Sequence, residues 1–237
     1  MSWALLDSAY EPTTADVAKA HAASVGGWAG YLNSPTAYHP WRPGALRAIC
    51  VGGLGVLPVW VAPLGASSAA HGASDALAAL AQVHAAGLTP VVALDTEKAA
   101  ERAPGALAYA EGFHGTLNTH GALTVQYGSP VFLAQLARVP AGNRPRSAWL
   151  ASWGGTRAPD LATAWPLRGE WVGIDQRGWQ WAGPARRAGM TTTTDLSVMS
   201  AEFPLARILA AKPTRALVTF ADGTRAAGPL PYTVHLS

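Results

Sequence analysis

Asp95 and Glu97 stand two residues apart at the end of the apolar run 88–94. On an extended strand, positions i and i+2 project from the same face. Two carboxyls held that close raise each other's proton affinity, so one keeps its proton near neutral pH while the other is ionised. This supplies a general acid beside an anion, the combination that acid-assisted cleavage of a glycosidic bond requires. The bland alternative is a solvated loop start in which Glu97 pairs with Lys98. Further acids converging on the same place would favour the first reading. Asp7 ends the run 4–7, and Asp195 lies at the end of the run 191–196.

Whether these acids converge depends on the elements that carry them. Strand-like runs occur at 4–7, 27–32, 55–62, 88–94, 123–127 and 148–152, with weaker ones near 171–181 and 191–196. Helical patterns lie between them. Thr14 can cap a helix through Val17, Ala20 and His21, and Pro43 opens another over 42–50. Ser74 or Asp75 starts 76–86, which Gly87 ends, and 104–120 runs to Gly121. Ser129-Pro130 starts 131–138, and Ser200 starts a helix over 201–211. Strand–helix alternation repeated about eight times argues for a parallel sheet with crossover helices. At this length the expected fold is an α/β protein: a single (β/α)8 TIM-type barrel. In such a barrel the working groups sit at the C-terminal ends of strands. After Pro213 the pattern changes to a β-hairpin around Asp222-Gly223. The expected organisation is a barrel over 1–212 with a C-terminal hairpin extension over 213–237.

Composition excludes several classes. Basic residues form no run or stripe, which argues against a nucleic-acid binder. The Gly52-Gly53-Leu54-Gly55 cluster precedes a strand, the wrong place for a phosphate loop, and no glycine-rich turn follows the first strand. Seven histidines show no metal-ligand spacing, and no Gly-x-Ser-x-Gly elbow is present, so neither a metal nor a cofactor is expected. Cys50 is the one cysteine and sits in an apolar stretch, as a small core residue would. The uncharged stretch 48–74 is broken by prolines and glycines, which fits a turn, strand and loop better than a membrane span. The first residues lack the basic and apolar regions of a secretory signal. Trp60, Trp149, Trp153, Trp179 and Trp181 fall at or near strand ends, where indole could pack on the apolar face of a sugar ring.

In this order the motifs resemble glycoside hydrolase family 25, the lysozyme-type muramidases. They resemble still more closely the glycoside-hydrolase-like barrel domain of actinobacteria and their phages. The resemblance spans 5–209 and rests on Asp7, Gly30-Tyr31-Leu32, Gly55-Val56-Leu57-Pro58-Val59-Trp60, Leu94-Asp95-Thr96-Glu97 and Tyr127-Gly128-Ser129. The helix start at Gly72, Asp75 and Ala76, with Trp149-Leu150-Ala151-Ser152-Trp153, Trp179-Gln180-Trp181 and Asp195-Leu196-Ser197, completes it. It implies Glu97 as general acid and Asp95 as stabiliser of the transition state or orienter of an N-acetyl group. Asp7 and Asp195 would shape the electrostatics, and Tyr127, Gln180, Tyr31, Trp60 and Trp153 would meet substrate. The first strand departs from the family's pattern, reading Leu-Leu-Asp-Ser-Ala, and the seventh has two candidates, 171–176 or 178–182. On the first, Gln176 would replace Gln180.

Two functional readings follow. One is a cell-wall hydrolase acting on the β-1,4 bonds of peptidoglycan or a related polysaccharide, phage-encoded or exported without a signal. The other is a non-catalytic barrel serving as a glycan-binding or virion module, with virion proteins as partners and the hairpin as a docking strand. A third, a small-molecule α/β enzyme, lacks its phosphate turn.

Overall fold

A computed structural model describes residues 2–35, 37, 39–65, 68–153, 158–161, 165 and 176–209, and the backbone of 215–219 and 225–229. Eight strands close into a barrel in chain order. They are β1 (Ser2–Asp7), β2 (Val25–Tyr31), β3 (Gly55–Val61), β4 (Val91–Asp95), β5 (Leu123–Gly128), β6 (Ser147–Ala151), β7 (Arg177–Arg186) and β8 (Thr193–Ser200). Helices follow the first five: α1 (Thr14–Ala22), α2 (Pro43–Val51), α3 (Ala69–Ala85), the short α4 (Lys98–Glu101) with α5 (Ala106–Thr119), and α6 (Pro130–Leu136). The α/β barrel expected from the sequence is thus present. No helix among the described residues is long and apolar enough to cross a membrane.

The last strand breaks the regular repeat. Strands β1 to β7 pair in parallel, but β8 runs antiparallel to both β7 and β1. The cause is the short link from Arg186 to Thr193: a parallel strand needs a crossover of a dozen or more residues, whereas a turn suffices for a hairpin. Asp195 therefore lies near the start of its strand and not at the end. Reversed direction still delivers it to the same rim, directly opposite Asp7.

Residues 201–209 also differ from expectation. The predicted helix is absent there, and the chain makes isolated antiparallel bridges, Val56 to Ala206 and Leu88 to Ile208. Pro204 lacks the amide a helix interior needs and its ring clashes with the preceding turn. The extended segment closes the barrel floor: a Cβ on Gly55 would come 2.4 Å from Leu205 Cδ1, so glycine makes room for this plug. The hairpin after Pro213 is seen as β9 (Arg215–Thr219) paired antiparallel with β10 (Arg225–Pro229).

Tight helix packing follows from the small residues. Helix α3 begins earlier than predicted, at Ala69, where the Ser68 hydroxyl accepts the His71 amide. It crosses α5 almost backbone to backbone. A Cβ on Gly72 would fall 1.9 Å from the Tyr109 carbonyl oxygen, and one on Gly112 would fall 2.0 Å from that of Ala69. Inside the barrel, Leu5, Ala29, Val59, Ala93, Val125 and Trp149 form a dry layer. The Trp149 indole donates to Ser197 Oγ at 3.0 Å across it. This layer is the floor on which the polar rim stands.

Candidate active site

Strand register decides what reaches the rim. Asp95 pairs with Tyr127 and with Val61, Tyr127 with Trp149, Ala151 with Gln180, and Asp7 with Asp195. Because side chains alternate along each strand, this set shares the inner face, and all of it but Trp149 stands above the dry layer. Asp7, Asp95, Asp195, Tyr31, Tyr127 and Gln180 thus come together from six strands.

The three aspartates are crowded and short of partners. Asp7 Oδ2 accepts the Tyr31 hydroxyl at 3.3 Å, but its Oδ1 is buried with no hydrogen bond. Oδ1 of Asp95 and of Asp195 is likewise buried and unpaired. Burial first, then the charge of Asp195, pushes the Asp7 carboxyl up from 3.8 to about 7. Burial raises Asp195 to about 6, against the pull of Arg187. Asp95, only 5% exposed, is held well above the usual range by burial, then by the charges of Glu97, Asp7 and Glu101. Burial and the neighbouring Asp7 and Asp95 raise the Tyr31 hydroxyl as well. Burial thus favours the protonated form of all three carboxyls.

A stability consequence follows for Asp7. Its folded pKa lies above its unfolded one, so the stability it contributes is complete below about pH 4 and is lost as pH rises through about 7. The melting temperature is expected to fall between about pH 5 and about pH 8. Asp7→Asn, which removes the titrating charge and keeps the shape, should flatten that fall and raise the melting temperature at the alkaline end. Calorimetry of both proteins across this range checks the sign; equal slopes would refute it.

Gln180 organises the rim. Its Nε2 donates to Asp195 Oδ2 at 3.0 Å and to Asp7 Oδ2 at 3.5 Å. Its Oε1 accepts the Tyr127 hydroxyl and, at 2.9 Å, the Trp153 indole N–H. Of the two seventh-strand candidates, the structure places 178–182 within β7, whereas 171–175 fall outside the described residues. Gln176 accepts a hydrogen bond from Ser147 Oγ at 2.6 Å, away from the rim.

Beside the acids opens a cleft of ≈ 680 Å³ lined by Glu97, Glu101, Tyr127, Ser129, Ser152 and Trp153, among others. Glu97 is exposed at its mouth as the first residue before α4, and its side chain makes no capping bond. Trp153 is 59% exposed on the opposite lip. Trp60 stands elsewhere. It pairs in register with Leu94, on the outer face of the barrel, and is buried beside the Tyr109 hydroxyl under the helices.

Three supporting residues escape a reading of the sequence. Glu101 accepts both the backbone N–H and the hydroxyl of Ser129 at 2.6 Å, joining α4 to the start of α6 across the cleft. Gln126, pointing outward, donates to Thr96 Oγ1 at 2.8 Å and to the Leu94 carbonyl at 3.1 Å, fixing the strand end between Asp95 and Glu97. His114 meets the Gln126 Oε1 at 2.8 Å, and burial lowers its pKa to about 4, so it is neutral. The available signals were a second acid four residues beyond Glu97 and a glutamine inside an apolar strand.

No model of a protein family matches the chain, and no curated protein does. Solved structures do. An uncharacterized protein from B. stearothermophilus is 18% identical with a TM-score of 0.66, over 84% of this chain and 96% of that one. The modular autolysin LytC from Streptococcus pneumoniae is 16% identical with a TM-score of 0.61, over 84% of this chain and 46% of that one. It is also known in complex with a synthetic peptidoglycan ligand. The bacterial lysozyme from Streptomyces coelicolor is 16% identical with a TM-score of 0.59, over 82% of this chain and 90% of that one. The chain has a lysozyme-like barrel fold.

Proposed function

We propose that this protein is a cell-wall glycoside hydrolase of muramidase type, cleaving β-1,4 bonds of peptidoglycan. The observation that carries the proposal is the buried Asp95 carboxyl, its Oδ1 without a hydrogen bond, two residues before Glu97, which lines an open cleft. Burial, then the charge of Glu97, raises the Asp95 carboxyl, and Glu97 is the member that reaches the cleft. As general acid, Glu97 protonates the leaving glycosidic oxygen. Asp95, in its ionised form, stabilises the positive charge that grows on the sugar ring or orients its N-acetyl group. Asp7 and Asp195 set the field around the pair. Tyr127, Tyr31 and Trp153 border the substrate, with Trp153 as the indole on which a sugar face packs. Trp60 has no part in this arrangement.

The solved relatives support the substrate class, since one is a lysozyme and another is known with a peptidoglycan ligand. We read 1–212 as the hydrolase barrel and 213–237 as an extension through which a partner such as a virion protein would dock. The protein would act on the wall as a phage product or after export.

The test is clearing of purified actinobacterial walls, followed by analysis of the soluble fragments. New reducing ends on the glycan strands are expected. Absence of clearing across a wide pH range would end the catalytic reading and leave a glycan-binding or virion-structural barrel.

A further inference from the structure

The amide of Gln180 joins two parts of the rim that are otherwise separate. On one side lie Asp7 and Asp195, which share its N–H groups. On the other side lies Trp153, exposed on the cleft lip, whose indole N–H it accepts. The orientation of this amide is not free. An indole nitrogen can only donate, so the oxygen of Gln180 must face Trp153, and the NH₂ group must face the carboxylates. Gln180 itself is 1% exposed, too deep to be a surface contact. Trp153 has a further restraint in its chain neighbour, because the Ser152 carbonyl accepts the Trp179 indole at 3.0 Å.

We propose that Gln180 is a positioning residue that ties Trp153 to the charge state of the Asp7–Asp195 pair, so that the aromatic lip of the cleft responds to the proton held in its depth. The argument is one of hydrogen-bond strength. A donor to an ionised carboxylate is held about twice as tightly as a donor to a neutral acid. When the pair ionises, Nε2 is drawn toward it, and the polarised oxygen holds the indole and the Tyr127 hydroxyl more firmly. When the pair is protonated the pull relaxes, and Trp153 loses part of its anchor. The groups facing the pair are Tyr31 from β2, Asp95 and Glu97 from β4 and its end, Tyr127 from β5, and Arg187 beyond β7. None of them except Tyr127 bonds to the Gln180 oxygen that holds Trp153. This inference refines the glycosidase reading of the same site, since a lip that packs a sugar would then be set by the acids that act on it. It does not require turnover.

The test uses the full chain labelled with 5-fluorotryptophan and followed by fluorine NMR between about pH 5 and about pH 8. The Trp153 signal is the one that Trp153→Phe removes. In the wild type it should move with pH, with a midpoint between about 6 and about 7. In Gln180→Met, which keeps the volume and removes both links, the movement should vanish. In Gln180→Glu, which sets a third carboxylate against the pair, the midpoint should rise by about one unit. A Trp153 signal that does not move in the wild type would overturn the proposal. So would the same movement in both variants, since the indole would then sense Glu97 or Asp95 directly. If Gln180→Met fails to fold, the shift or constancy in Gln180→Glu decides. Wall clearing measured beside it separates the two ideas: failure to clear leaves the NMR result standing, and a silent indole leaves the hydrolase reading standing.

Discussion

Glu97→Gln is expected to slow wall clearing by about 10²–10⁴-fold, the range that loss of a general acid produces. The amide keeps the size and polarity of the carboxyl and cannot give up a proton. Asp95→Asn is expected to cost a similar factor, by removing the anion that faces the developing positive charge. The two variants should differ in the folded state. Glu97 is exposed and its side chain caps nothing, so its replacement should leave the melting temperature unchanged. Asp95 is buried with an unpaired oxygen and a strongly raised pKa, so its neutral replacement should stabilise the protein at alkaline pH. Initial rates of turbidity loss, beside melting curves, check both statements. Full activity in Glu97→Gln would remove that residue from the mechanism, whatever the fate of Asp95.

The largest effect on stability is expected from Asp16→Ala. Asp16 is fully buried at the start of α1 and accepts five hydrogen bonds. The Thr191 amide reaches its Oδ1 at 2.7 Å, and the hydroxyls of Thr191, Thr192 and Thr13 reach Oδ2 at 2.8, 2.9 and 2.9 Å. The Thr13 amide completes the capping box at 3.3 Å. Burial alone would raise this carboxyl. The bonds from Thr191, then those from Thr192 and Thr13, outweigh it and hold the group well below the ordinary range. Alanine leaves these donors without their acceptor, at a cost of about 3 kcal/mol. For a chain of this size that corresponds to a fall in melting temperature of roughly 6–12 °C. The pH dependence has the opposite sign to that of Asp7. A depressed folded pKa gives stability that is complete above about pH 4 and is lost as pH falls further. Acid unfolding should accordingly be shallower in Asp16→Ala than in the wild type. Thermal melts at neutral pH and near pH 3 provide the measurement, and parallel acid limbs would contradict it.

Much of this barrel can be read from the chain because its strands are nearly continuous apolar runs ending in polar residues. That pattern located β1 to β6 to within a few residues, and the i, i+2 spacing put Asp95 and Glu97 at one strand end. Direction is harder to read. The seventh run is too weak to show where β7 stops, so the link to β8 passes for a crossover and Asp195 reads as the end of a strand that in fact begins near it. Residues 201–211 read as helix because alanine and leucine dominate them, yet Pro204 interrupts the pattern and 201–209 are not helical. Trp60 illustrates a different limit. Its neighbour Val61 shares the inner face with Asp95, so Trp60 must face out. That parity is visible only after the register is known. Gln180 is named from the resemblance as a substrate contact, but its buried bonds to four partners on separate strands and loops are legible only in the fold.

The reversed eighth strand has a consequence for how the molecule comes into being. Hairpin β7–β8 is local, whereas β8 pairs with β1 across nearly the whole length of the barrel. Among the barrel pairings, that of the first strand with the eighth has the greatest sequence separation and so the largest chain-entropy cost of closure. The same closure brings Asp7 against Asp195, two acids that resist being charged together. Closing the ring is therefore also what sets the two acids face to face, so the seam of the barrel and the electrostatics of its rim share one pairing.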